Sequence, residues 1–307
     1  MKRVIISGGG TGGHIYPAIT IYKEIMKQNP DAKVLYVGTK QGLEATLVPK
    51  EGIEFTTIPV QGLQRQLSLG TLVTLGKTAL GIVKANAIVC KFKPDVVIGT
   101  GGYVCGPILL AAALHNIPTI IQEQNVIAGI TNKILSRFVD VVALGYKDAE
   151  ASFSKAKRVV YTGNPVRPDV LVDSRTVGRN GDGLGCSSLI LPYLHDMPKA
   201  LAAADLAVFR SGAIGLAELA VRGIPSVLIP YPYAAEDHQT YNARIFVQEG
   251  AAHMIVDKML SAHDLIGEIE MFMANRDLLA QMGDRALQLG KPNAAHDIAK
   301  LALSIAK

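Results

Sequence analysis

The sequence predicts an α/β protein made of two Rossmann-like domains, each a parallel sheet with helices on both faces. Three observations carry this. Short apolar, β-branched runs alternate with helical stretches from end to end, the order that buries parallel strands on both faces. Glycine-rich loops follow several of these runs directly, where a strand would turn into a helix. The 307 residues suit two domains at roughly 100–200 residues each.

The elements follow in order. Val4–Ser7 is a strand, Gly8–Gly13 a loop, and Pro17 to Gln28 a helix. Lys33–Val37 and Asp95–Ile98 are strands, the second closed by Gly99–Gly102 and followed by a helix near Pro107–His115. Thr119–Gln122 is a strand and Asn125–Ser136 a helix; Val139–Leu144 and Arg158–Thr162 complete the first half. The second half repeats the grammar: strand Asp205–Phe209, helix Gly212–Arg222, strand Ser226–Pro230, helix Thr240–Glu249, strand His253–Val256, then helices from Ala262. Glycine, two prolines and charge cluster at Gly163–Pro168, a composition typical of a boundary. The expected domains are therefore 1–163 and 164–307, with the last helices free to pack back on the first.

Residues 169–188 are polar and glycine-rich without a period, and read by themselves as a linker. Only 20 residues separate Pro168 from the next apolar run at Leu189–Leu191. One βαβ unit needs about 30 residues, so the second domain is expected to lack its opening unit.

Apolar residues at 49% and charged residues at 19% exclude wholesale disorder. The net charge of +5 is uneven: residues 1–165 hold 18 Lys/Arg against 10 Asp/Glu, and residues 166–307 hold 13 against 16. A basic first half suits an anionic partner or membrane surface. No basic stripe interleaves with aromatics, so nucleic acid is not expected. Cys90, Cys105 and Cys186 form no CxxC pair and read as reduced thiols of a cytosolic protein. The start MKRVIISGGG is too short for a signal peptide, and no window approaches the roughly 20 clean apolar residues of a membrane span. A soluble or peripheral protein is expected.

Several loops carry candidate chemistry. Gly8-Gly9-Gly10-Thr11-Gly12-Gly13-His14 satisfies G-x-G-x-x-G. Glycines let backbone approach a ligand, and a helix N-terminus favours negative charge. A dinucleotide site would want an acid at the end of the second strand, where Gly38-Thr39-Lys40 stands, so NAD is disfavoured. A phosphate-proximal or catalytic loop is the leading reading, and a tight structural turn the alternative. His14 would place an imidazole at the strand ends, where it suits a general base. Gly99-Thr100-Gly101-Gly102-Tyr103 is a second such strand end, and two of them argue for a multi-phosphate ligand. Gln122-Glu123-Gln124-Asn125 places polar residues at the ligand-binding edge, with Asn125 as a helix cap the alternative. Arg210-Ser211-Gly212-Ala213 suits a helix start that accepts phosphate. Glu218 suits ribose hydroxyls, or is a solvated helix face. The histidines show no i, i+4 pair and there is no Asp-x-Asp, so no metal site or cofactor is expected.

Taken in series, GGGTGGHIYPAI, GTGGYVCGP, QEQNVIAGITNK, GNPVR, LPYLHDMPKALAAADL, RSGAIGLAEL and PYPYAAEDHQTYNA resemble the MurG family of peptidoglycan glycosyltransferases. The resemblance runs over residues 1–168 and again from about 189 to 300. It implies the GT-B fold, two Rossmann-like domains facing a cleft. It implies inverting, metal-independent transfer of N-acetylglucosamine from UDP-N-acetylglucosamine to lipid I, at the cytoplasmic face of an anionic inner membrane. Gly62–Leu69 resembles the family's membrane-adjacent region. His14 is the first candidate base and Glu123 the second. Thr11, Gly12, Gly13 and Asn125 are expected at the donor and Arg167 near the nucleotide. Leu194 would lie beside the uracil. Arg210, Ser211, Gly212 and the run Ala213, Ile214, Gly215, Leu216, Ala217 and Glu218 would form the helix start and ribose contact, and Gln239 would touch the sugar. Gly101, Gly102 and Tyr103 fall on the acceptor side. Two departures stand out: Gln122 replaces the histidine of many relatives, and nothing in residues 171–188 resembles the family's glycine-rich loop that opens the second domain. A non-catalytic binder of lipid I or cell-wall partners, and another GT-B transferase acting on glycolipids, are the competing classes.

Overall fold

The computed structural model describes residues 1–61, 69–171, 191–192, 194 and 196–307, and for residues 69–77 the backbone alone. The chain divides into one unit of Met1–Pro165 with Asn293–Lys307, and a second of Val166–Pro292. The return of residues 293–307 to the first unit joins the two chain ends in one core.

The first unit is a seven-stranded parallel sheet. Its strands are β1 (Arg3–Ser7), β2 (Lys33–Gly38), β3 (Glu54–Thr57), β4 (Val96–Gly99), β5 (Thr119–Glu123), β6 (Val141–Leu144) and β7 (Val159–Tyr161), in the order β3-β2-β1-β4-β5-β6-β7. Helices α1 (Gly12–Gln28) and α2 (Glu44–Lys50) follow β1 and β2, while α3 (Leu69–Phe92) leads into β4, followed by α4 (Cys105–Leu114) and α5 (Ile130–Leu135). Alternate β1 residues point to opposite cores. Val4 and Ile6 pack with Ile15, Ile19 and Ile25 of α1, whereas Ile5 packs with Ile108 and Leu109 of α4 and Val89 of α3.

α2, β3 and α3 add sheet and cover that the sequence pattern did not assign; α2 and β3 are short, and α3 exposes Leu80 and Val83 beside Lys84 opposite its buried Ala85 and Val89, which blurs its stripe. The helix expected over Asn125–Ser136 is shorter, Ile130–Leu135, because Asn125 and Gly129 are tied back to Glu123.

In the second unit, the described residues form α6 (Pro168–Leu171), α7 (Met197–Ala203), β8 (Ala207–Phe209), α8 (Ala213–Arg222), β9 (Ser226–Leu228), α9 (His238–Gln248), β10 (Ala252–Met254), α10 (Ala262–Ala274) and α11 (Arg276–Leu289). Their three strands pair in parallel in the order β10-β9-β8. β9 is buried throughout, whereas Val208 of β8 is 40% exposed. Helix α8 ends where Gly223 adopts φ +63 and its neighbour Ile224 donates back to Leu219 O at 3.0 Å. The last helix, α12 (Ala294–Ile305), lays Ile298, Ala299 and Ala302 against α1 in the first unit. Residues 62–68 and 172–190 lie outside the described residues, and with them most of the polar stretch and of the expected membrane-adjacent segment.

Candidate functional site

The first-unit site follows from strand order. β1 and β4 are adjacent, and their following helices cover opposite faces, which makes the gap between them the topological switch point. Both glycine-rich loops open there. Gly9 N donates to Gly101 O at 3.3 Å, and a Cβ on Gly102 would strike the Gly9 carbonyl. Gly10, Gly101 and Gly102 take φ of +86, +108 and +82, a region L side chains rarely adopt.

His14 sits in the first turn of α1. Its Nδ1 lies 3.0 Å from Gly9 O and 3.4 Å from Thr11 Oγ1. A carbonyl only accepts, so Nδ1 carries the proton in the neutral ring and Nε2 carries the lone pair. The ring lies against Gly101, where a Cβ would come within 2.9 Å of Nε2. Thr100 Oγ1 donates to His14 O at 2.7 Å, tying the two loops again. Tyr103 lies over Gly10, which brings Gly101, Gly102 and Tyr103, expected on the acceptor side, together with His14.

Glu123, the second expected base, is buried and occupied. Asn125 N and Nδ2 donate to Oε1 at 3.0 and 3.3 Å, and Gly129 N and Asn132 Nδ2 donate to Oε2 at 3.1 and 2.9 Å. A carboxylate with four donors organises a loop. Gln122 donates to Asn164 Oδ1 at 3.0 Å, and Asn164 donates on to Gln124 O at 2.9 Å. This buried amide chain fixes the polar run after β5 against the turn that follows β7.

In the second unit, α8 starts on Ser211-Gly212, with Gly212 as an extended N-cap. Ser211 Oγ is buried and meets no partner among the described residues, so it has a hydrogen bond to give. Glu218 is not the solvated residue its position on a helix suggested. Arg167 Nε and Nη2 grip it at 2.6 and 2.9 Å, a bidentate pair with Glu218 only 5% exposed. Arg210 Nη1 bonds Ile229 O, Pro230 O and Asp257, so its charge braces the β9 loop beside the start of α8. Gln239 Oε1 accepts from Tyr231 N at 2.9 Å across that loop. Ile214, Gly215, Leu216 and Ala217 form the first turns of α8 together with Ala213, and Leu194 is half-buried. Among the described residues no group of three metal-ligating side chains occurs.

Residues 4–144 match the glycosyltransferase family 28 N-terminal domain, and residues 173–300 its C-terminal domain. A Thermoanaerobacter protein named UDP-N-acetylglucosamine–N-acetylmuramyl-(pentapeptide) pyrophosphoryl-undecaprenol N-acetylglucosamine transferase is 42% identical, over 99% of this chain and 100% of its own. The chain belongs to the MurG family. A Bacillus cereus member of the same name is 39% identical over 96% and 97%. The crystal structure of Acinetobacter baumannii MurG matches with a TM-score of 0.80 at 28% identity, covering 99% of this chain and all of that one. A Neisseria meningitidis UDP-GlcNAc 2-epimerase, at 13% identity and TM-score 0.68, shares the fold alone. The fold is GT-B, and the chain is a family 28 hexosyltransferase. This MurG-family chain is short: the Thermoanaerobacter alignment runs over 362 positions against 307 residues, so at least 55 positions face a gap in it.

Glu44 and Tyr36 are site-building residues that motif reading missed. Each lies outside the glycine-rich signatures and acts on the backbone of the first one. Tyr36 OH donates to Gly8 O at 2.7 Å.

Proposed function

We propose that this chain transfers N-acetylglucosamine from UDP-N-acetylglucosamine to lipid I, giving lipid II. What carries the reading is full-length similarity to transferases named for that reaction, supported by the His14 imidazole hydrogen-bonded to Gly9 O at the switch point. The acceptor C4 hydroxyl oxygen attacks the anomeric carbon, the bond from that carbon to the UDP oxygen breaks, and His14 Nε2 takes the hydroxyl proton. The helix start at Ser211–Ala213 and the nearby arginines receive the leaving diphosphate. Thr11, Gly12, Gly13, Asn125, Arg167, Leu194, Glu218 and Gln239 complete the donor contacts in this reading.

Among the described residues no helix is long and apolar enough to cross a membrane. We assign the cytoplasmic membrane face to the outer surface of α3–α5. Leu80, Val83, Ile130, Ile134 and Phe138 are exposed there beside Lys84, Lys133 and Arg137. Apolar residues rimmed by cations suit an anionic leaflet, as does the positive charge of residues 1–165.

A binding-only protein is the second reading, favoured by the 55-position shortfall and the half-exposed β8. Calorimetry with UDP-N-acetylglucosamine followed by a lipid I transfer assay separates the two. Donor binding with turnover supports the transferase; no binding at millimolar donor leaves the binder.

A further inference from the structure

The acid that a dinucleotide site would place at the end of β2 is present six residues on, and it faces the loop. Glu44 starts α2 and is fully buried. Its Oε1 accepts from Thr39 N at 3.0 Å and Thr39 Oγ1 at 2.7 Å, and its Oε2 accepts from Gly10 N at 3.2 Å. Three glycines make room for it. A Cβ on Gly9 would come within 2.7 Å of Oε1, one on Gly38 within 2.6 Å of Cγ, and one on Gly42 would overlap the carboxyl.

The amide that Glu44 holds belongs to the same peptide unit as the carbonyl that holds His14. The Gly9–Gly10 peptide gives its N–H to Glu44 and its C=O to His14 Nδ1. In a planar trans unit these groups point in opposite directions, so fixing one end aims the other. A hydrogen bond to the N–H also polarises the carbonyl and strengthens it as an acceptor.

We infer that Glu44 is a positioning residue, acting on His14 through the Gly9–Gly10 peptide as a carboxyl–peptide–imidazole relay. The relay keeps the Nδ1–H tautomer and the direction of Nε2. It also commits the Gly10 amide to an internal carboxyl, so that amide is not a phosphate donor. The inference rests on the reading of His14 as the base.

Glu44→Gln keeps the shape and sets an NH2 group against one of the N–H donors, whichever way the amide turns. Two readouts test it: ¹⁵N-histidine NMR of the full chain, with His14→Ala to assign the resonance, and the split of kcat from donor KM. Expected is an Nδ1–H tautomer in the parent and a mixture in the variant. With it comes a kcat loss of roughly tenfold to a hundredfold at a donor KM within about twofold, the scale of a misplaced catalytic group. An unchanged tautomer both in Glu44→Gln and in Glu44→Leu, which offers the Gly10 N–H no acceptor, overturns the relay, whether the variants keep full kcat or only yield less folded protein. A tautomer change in a parent without turnover keeps the relay and removes the transferase reading. If Glu44→Gln fails to fold, Glu44→Asp, which retains the carboxyl one methylene short, is judged by the same two readouts.

Discussion

Three buried carboxyls in this chain do the work of holding backbone or an arginine, and each leaves the chemistry to another group. Glu44 and Glu123 bind loop amides, and Glu218 binds Arg167. In the proposed reaction, proton transfer then falls to His14. His14→Ala is expected to lower kcat by roughly 10²–10⁴, the usual contribution of a general base, with donor affinity by calorimetry unchanged. Full turnover in that variant would remove the assignment. Arg167→Ala tests a different role. It strands Glu218 at 5% exposure, and breaking a buried pair costs about 3–5 kcal/mol. Denaturant unfolding should show that loss, and Glu218→Gln in the same background should recover much of it. The thiols give a third test. Cys105 is buried, and burial pushes its thiol up to about 12, with hydrogen bonds to Ser7 and Gly101 acting the other way. A raised thiol pKa adds stability in full below the unfolded value of about 9, lost as pH rises toward 12. At pH 8, mass spectrometry after brief alkylation should therefore find the exposed Cys90 labelled and Cys105 untouched. Labelling of both at equal rates would mean the core around β1 and β4 opens readily.

At the scale of elements, the strands were legible because they are buried on both faces and read as continuous apolar runs: Val4–Ser7 and Lys33–Val37 lie within β1 and β2, and Val139–Leu144 overruns the start of β6 by two residues. The glycine-rich loops were legible because only glycine suits their backbone. Helix α3 was not, since exposed Leu80 and Val83 opposite buried Ala85 and Val89 blur its period, and Glu44 was not, since a carboxyl that serves its own backbone leaves no motif. The loops at the strand ends were thus readable, and the side chains that support them were silent. The exposed apolar faces of α3 and α5 carry a prediction of their own. Replacing Leu80, Val83, Ile130 and Ile134 together by serine should abolish flotation with vesicles containing anionic phospholipid while leaving the thermal transition in place, because these side chains are half to two-thirds exposed. Unchanged flotation would move the membrane contact off this layer.

At the scale of the whole molecule, the two units are unequal. The first has seven strands and cores on both faces of its sheet, closed by α12 from the far end of the chain. Among its described residues the second has three strands, with β8 half-exposed along one side. Burial per residue sets stability, so the second unit should melt first. Scanning calorimetry should then show two transitions. UDP-N-acetylglucosamine should raise the lower one, since a ligand at 100 times its Kd stabilises the unit that binds it by about 2.7 kcal/mol. Deleting residues 293–307 should instead lower the upper one, because it uncovers the α1 surface that Ile298, Ala299 and Ala302 bury. A single transition, moved by both changes, would mean that the units unfold together. A lower transition that donor leaves in place would mean that the second unit folds without a nucleotide site, and the binding-only reading would take over.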